Sequence, residues 1–345
     1  MGIIIADRGN DREQNGISPG RDCGYPAAMR EPVLIKTPQG LYCPAGDFHI
    51  DPMRRVPRAL VTHGHSDHAA PGMGAYLCTD RALPVIRHRL GRIVAEGIPY
   101  GTRRQIGDVT VSFHPAGHVP GSAQIRVEQA GEVWVASGDY KVAQDELSEP
   151  FEPIRCDRFI TECTFGLPIF QWQPEAQVLA DIAAWWQANA AEGRASVVLA
   201  YSFGKAQRLI AGLGRHGPIC CHPVVDTVTA ILRDQGYPLP QTRRLVAGEA
   251  PPQGALIIAP PNAMATDWAY GLGPHATAAA SGWMTLAARR KGVAHPFTLS
   301  DHADWPGLNA AVRATGAAHI ITTHGYTAAF RDHWTAQGLQ AEALE

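Results

Sequence analysis

Four side chains able to bind a metal fall within six residues of this chain, in His63-Gly64-His65-Ser66-Asp67-His68. No other stretch restricts the possible folds as strongly. Three imidazoles and a carboxylate this close together are either held by a cation or left idle in solvent. A fold that uses them must bring further ligands to the same point from elsewhere. The preceding run, Ala59-Leu60-Val61-Thr62, is short, apolar and ends on a β-branched residue, so it is predicted to be a buried strand. His63 and His65 then leave that strand on one side, and Asp67 and His68 open the next segment. One pair can face one metal and the other pair a neighbouring metal. Imidazole and carboxylate donors without thiolate suit zinc, manganese or iron. The bland alternative is a polar loop whose histidines serve solubility, and matching residues downstream weigh against it.

Those residues also sit at predicted strand ends. His118 lies in the turn-rich Pro115-Ala116-Gly117-His118-Val119-Pro120-Gly121-Ser122. Asp139 follows the strand-like Val133-Trp134-Val135-Ala136, and His324 follows Ala318-His319-Ile320-Ile321-Thr322-Thr323. A lone loop histidine is more often structural than a ligand, but each of these closes a strand at one edge of a layered fold. Asp47, in Gly46-Asp47-Phe48, is the first candidate to orient a ligand histidine through its second ring N–H, and Asp51 is its rival.

The order Asp47, His-x-His-x-Asp-His, His118, Asp139 resembles the metallo-β-lactamase fold. The second half resembles the β-CASP nuclease branch. Thr161-Glu162-Cys163-Thr164-Phe165-Gly166 looks like its acidic first motif, Ser300-Asp301-His302-Ala303-Asp304-Trp305 like its second, and Thr323-His324-Gly325-Tyr326 like its third. Ala200-Tyr201-Ser202-Phe203-Gly204-Lys205-Ala206-Gln207-Arg208 resembles the inserted domain's strand-to-helix turn. Within the branch, Gly46-Asp47-Phe48-His49-Ile50-Asp51-Pro52, Ser281-Gly282-Trp283-Met284 and Leu299-Ser300-Asp301-His302 are most similar to the bacterial ligase-associated DNA exonucleases. The resemblance spans roughly residues 30 to 340.

That resemblance implies an α/β chain, a metallo-β-lactamase αββα sandwich with an inserted β-CASP α/β domain. It implies two divalent metals, zinc first and manganese second. His63, His65 and His118 would hold one, Asp67, His68 and His324 the other, and Asp139 would bridge them. A hydroxide shared by the metals would attack phosphorus in line. His302 would protonate the leaving oxygen and Glu162 would orient it, unless Glu162 only links the domains. The implied activity is a DNA exonuclease, 5′ to 3′ and preferring single strands, in DNA repair, associated with an ATP-dependent DNA ligase and a helicase. His324 departs from this picture. Eukaryotic DNA-repair members carry valine there and RNA-processing members carry histidine, so a ribonuclease stays open. A small-molecule metallohydrolase and a metal-free binding protein are two further classes. The inserted domain argues against the first, and the intact ligand set against the second.

Bulk properties fit an intracellular, cytoplasmic enzyme. A chain of 345 residues, 45% hydrophobic, can bury two cores. No apolar run approaches the ~20 residues of a membrane span, and Ile3-Ile4-Ile5-Ala6 is too short for a signal peptide. Seven cysteines without a C-x-x-C pair argue against a zinc finger and against a disulfide scaffold. The net charge of -2 is low for a nucleic-acid binder, but it hides clusters at Arg54, Arg55 and Arg58, at Arg87, Arg89 and Arg92, and at Arg289-Arg290-Lys291. Such clusters are mostly solvated faces; the Arg289 group, close before His302, is the best candidate for strand contact.

Punctuation divides the chain into a polar, disordered segment 1–28, a metallo-β-lactamase part 29–167, an inserted domain 168–296 and a return 297–345, with Met29 an alternative start to Met1. Asp80 is the expected cap of a helix through Leu90. Helices are expected at Glu175–Ala191, Gly204–Leu213 and Val225–Gln235, alternating with strands Ala195–Tyr201 and Ala255–Ala259, which implies a mostly parallel sheet. Gly204-Lys205 fails as a P-loop, because Leu199 and Ala206 stand where glycine and Ser/Thr are needed. Ser202, Gly204 and Lys205 can still hold a phosphate at a helix N-terminus, or form a purely structural turn.

Overall fold

Short apolar runs broken by glycine and proline pair into three sheets among the residues described, 32–286 and 290–344, in the computed structural model. The first sheet takes Ile35–Thr37, Gly40–Cys43, Phe48–Ile50, Arg58–Leu60, Ala75–Thr79 and Ala95–Ile98 in chain order, antiparallel up to Phe48–Ile50 and parallel beyond it. The second is ordered Gln340–Ala343, His319–Gly325, Arg158–Cys163, Glu132–Ala136, Ala123–Gln129, Val109–Pro115, Arg104–Ile106. Alternating residues of both sheets meet in one apolar cluster, where Phe48, Leu60 and Leu77 pack with Val111, Phe113, Ile125 and Ile160. Complete burial of a side chain such as Phe113 contributes about 1.5–3 kcal/mol.

The third sheet is parallel throughout and lies within the stretch 195–297. Its inner strands Ile219–Cys221 and Leu256–Ala259 are continuously apolar because both faces are covered. Val198 and Ile258 pack beneath helices Glu175–Ala191, Lys205–Leu213 and Pro223–Asp234, while Val197 and Ile257 meet Leu245, Trp268 and Leu272 on the other face. The chain then returns through helix Trp305–Thr315, whose Asp304 cap accepts from Gly307 N at 2.9 Å, to strand His319–Gly325 inside the second sheet. Mixed α/β architecture with several sheets therefore agrees with the expectation from the sequence.

Three local expectations need correction. The strand before His63 ends at Leu60, because Asp51 takes the amide and hydroxyl of Thr62. The strand expected to reach Tyr201 ends at Leu199. Asp80 does not cap its helix; Thr79 Oγ1 accepts from Ala82 N at 3.0 Å instead. Segment 1–28 and Arg289 lie outside the described residues. None of the described helices is long and apolar enough to cross a membrane.

Candidate metal centre

The chain leaves the first sheet as a tight loop. Ala69 N donates to His65 O at 2.8 Å, a helical turn that sends Asp67 and His68 away from His63 and His65. Asp139 arrives from strand Glu132–Ala136 through Gly138, at φ 55°. A Cβ at Gly138 would stand 2.7 Å from Thr62 Cβ, so only glycine lets the two loops close. His118 comes from the loop between Val109–Pro115 and Ala123–Gln129.

Donor atoms of His63, His65, His118 and Asp139 all lie within 4.8 Å of one another, as do those of Asp67, His68 and Asp139. The His63 and His118 Nε2 atoms stand 3.0 and 3.1 Å from His65 Nδ1, and both are 3.7 Å from Asp139 Oδ2. A tetrahedral site with metal–nitrogen bonds of about 2.0–2.1 Å has nitrogens roughly 3.3 Å apart, so this spacing fits one ion. Each imidazole is turned by a bond on its other nitrogen. His65 Nε2 reaches Phe203 O at 3.2 Å, and His118 Nδ1 reaches Asp301 O at 2.8 Å. His63 Nδ1 is 3.1 Å from Thr62 Oγ1. Burial pushes the His63 and His118 pKa values well down, which keeps both rings in the neutral form that binds metal. His68 Nδ1 is 2.7 Å from Asp51 Oδ2, leaving a buried Nε2 that makes no well-aligned hydrogen bond although Asp139 Oδ2 is 3.4 Å away. A buried nitrogen in that state, facing a carboxylate, suits a cation, so the donor set fits divalent metal in both groups.

Asp47 was the first candidate for the orienting carboxylate, and the structure corrects this. Asp47 is exposed and accepts from Tyr42 OH at 3.0 Å, whereas the rival Asp51 holds both Thr62 and His68. Converting Asp51 to asparagine should weaken metal binding at the His68 group by about 10–100-fold. Titration of the metal-free protein with zinc would measure this, and an unchanged second affinity would refute the assignment.

Beside Asp139 sits a second pair. Glu162, fully buried, accepts from Thr164 N at 2.7 Å and holds His302 Nδ1 at 3.0 Å, and His302 Nε2 stands 3.9 Å from Asp139 Oδ2. Burial disfavours the imidazolium, but the Glu162 and Asp139 carboxylates outweigh it and lift the His302 pKa to about 9.

His324 is not within donor distance of either group. The register shifts where Glu162 pairs with Thr323 and Cys163 with Gly325, so His324 is the extra residue of a bulge, at φ 52°. Its ring stacks on His68 at 5.4 Å.

The Ser202 turn also differs from the phosphate cradle considered above. Gly204 N is taken by Gln207 Oε1 at 2.8 Å, and Lys205 Nζ pairs with Asp301 at 3.0 Å. A Cβ at Gly204 would overlap Val119 Cγ1, so the glycine serves close approach to the His118 loop. Sequence reasoning missed the network behind this turn. Lys141, Lys205 and Arg208 face Asp145, Glu175 and Asp301, all but Glu175 nearly inaccessible, so the charges balance. Burial opposes ionisation of Asp301, yet Lys205 and Arg208 hold its carboxyl well below the usual range. The signal available was Arg208 at i+3 from Lys205, on one helix face.

Ser202, Lys205, His88, Arg89 and Trp283 line the cavity of ≈660 Å³ that holds His65, Asp67, His118, Asp139, His302 and His324. Arg89 also braces the ligand loop, donating to Gly64 O at 2.8 Å.

Over 320 residues, 91% of this chain, the sequence is 32% identical to a probable DNA ligase of Opitutus terrae, of which the match covers 31%. It is 28% identical over 138 residues to endoribonuclease YSH1 of Gibberella zeae, covering 37% of this chain and 16% of that protein. It is 24% identical over 200 residues to ribonuclease TTHA0252 of Thermus thermophilus, covering 49% and 45%. The chain thus spans less than half the length of each of these relatives. No family model matches it. A crystal structure of a protein of unknown function from Enterococcus faecalis has the same fold, with a TM-score of 0.57 over 84% of this chain and 79% of that one at 10% identity.

Proposed function

We propose that this protein is a metal-dependent nuclease of metallo-β-lactamase fold and β-CASP branch, hydrolysing phosphodiesters of nucleic acid. The observation that carries the reading is the meeting at Asp139 of three groups: His63 with His65 and His118, Asp67 with His68, and Glu162 with His302. Similarity to proteins named as ribonucleases supports it.

Two divalent ions held by these residues would supply Lewis acidity at the scissile phosphate and acidify water. The chain's own groups do the rest. Asp51 and the carbonyls of Phe203 and Asp301 orient the imidazoles. His324, stacked on His68, would have to leave that stack to complete the second set. His302 gives its Nε2 proton to the leaving oxygen while Glu162 holds Nδ1–H. Ser202, on the cavity wall, offers a hydrogen bond to a neighbouring phosphate.

His302→Ala should keep both metals yet lose cleavage by about 10²–10⁴-fold. In the wild type the acid stays protonated until pH rises through its lifted pKa. An alkaline limb is therefore expected, at or below about 9 because bound cations repel the imidazolium. The limb should vanish in the variant; wild-type rates there would refute the acid role.

DNA is the favoured substrate, cut from the 5′ end of single strands, and zinc the favoured metal, with manganese second. Likeness to a probable DNA ligase supports work alongside an ATP-dependent ligase. The second reading, a ribonuclease, is favoured by His324 and by the names of two relatives. Matched 5′-phosphorylated DNA and RNA strands, labelled at the 3′ end, would decide. Each is incubated with zinc, with manganese or with chelator, beside Asp67→Ala. Metal-dependent shortening of DNA alone supports the exonuclease. RNA cleavage moves the chain to the second reading, and cleavage of neither defeats both.

A further inference from the structure

Tyr201 follows the buried strand Ala195–Leu199, yet it is 58% exposed at the rim of the cavity that holds the candidate metal-binding residues. Single exposed aromatics are common and need no explanation. This one is held in place, because Lys205 Nζ lies 5.2 Å from the ring centroid and is itself fixed by Asp301. A cation so anchored keeps the ring over the cavity mouth. The apolar surface continues on the same rim, where Val224, early in helix Pro223–Asp234, is 49% exposed. The floor, by contrast, is imidazole and carboxylate. A charged floor with a flat apolar rim suits a ligand that carries both a phosphate and a planar ring.

We propose that Tyr201 is a stacking platform for a nucleobase of single-stranded nucleic acid, the base flanking the phosphodiester presented to the metal-binding groups. The inference rests on the nuclease reading and adds to it a residue that selects the substrate. A base inside a duplex is covered on both faces by its neighbours, whereas a single strand can offer a free face. Stacking is indifferent to base identity, so the platform would favour single strands without favouring a sequence.

The test uses the metal-loaded protein and phosphorothioate-protected strands carrying 2-aminopurine at successive positions. Wild type should quench the fluorescence at one position. Tyr201→Ala should lose that quenching and bind about 5- to 150-fold more weakly, while Tyr201→Phe keeps both. An abasic residue at the quenched position should cost wild type the same factor and cost Tyr201→Ala nothing further. Thermal melting of each variant checks that the fold is intact. If Tyr201→Ala binds and quenches like wild type, the platform is refuted and the nuclease reading stands. If wild type binds neither DNA nor RNA strands, the nuclease reading falls and the platform with it, so the two failures are told apart by which protein shows them.

Discussion

Replacing Asp139 by alanine should empty both metal groups in one step and reduce cleavage by on the order of 10³-fold or more. Asp139 belongs to every donor group found among the described residues. Its Oδ2 lies 3.4 Å from His68 Nε2, 3.7 Å from the Nε2 atoms of His63 and His118, and 3.9 Å from that of His302. Burial works against its charge, but His68 and His302 keep it well below the usual carboxylate range. It is therefore an anion throughout the working range of pH. Its loss leaves His68 and His302 without the carboxylate they share. A metal site supplies several kcal/mol of transition-state stabilisation, and each 1.36 kcal/mol is about tenfold in rate. Metal content by emission spectroscopy, measured beside cleavage, checks both halves. A variant that still carries its full complement of metal would show that Asp139 does not join the sites.

Arg208→Met should be the most damaging single change away from the metal-binding residues. The guanidinium is buried and meets Asp145 at 3.2 Å, and it also pairs with Asp301 and Glu175. It donates to Ser300 O at 2.7 Å as well. Removing one partner of such a network leaves buried carboxylates uncompensated, at a cost of about 3–5 kcal/mol. The damage should travel further, because the Asp301 carbonyl turns His118 at 2.8 Å. Loosening it should weaken zinc binding at the His63 group by about 10–100-fold. Urea unfolding and zinc titration read the two effects separately. Stability lost with zinc affinity intact would confine Arg208 to a structural role. The network also explains why the Phe203 and Asp301 carbonyls both matter. They come from opposite ends of the stretch that builds the third sheet, and both aim candidate ligand histidines, His65 and His118, beside the first two sheets.

Much of this site is legible in the residues. The stretch His63–His68 and the strand-end positions of His118 and Asp139 mark donors before any fold is known, because donor chemistry and strand periodicity are local properties. Helix Glu175–Ala191 is found at its expected bounds, since its apolar spacing is unbroken and Gly193 follows it. Other features depend on groups far apart in sequence. Whether Asp47 or Asp51 orients His68 turns on which carboxylate reaches Thr62. His324 misses the donor groups because of a register shift between strands 160 residues apart, which no local pattern encodes. Lys205 reads as a free phosphate ligand until Asp301, far along the chain, is seen to claim it. The sequence by itself determined which donors exist and which strands carry them. Tertiary structure alone decided how they are aimed, because the second hydrogen bond of each imidazole comes from a backbone or side chain that only folding brings near.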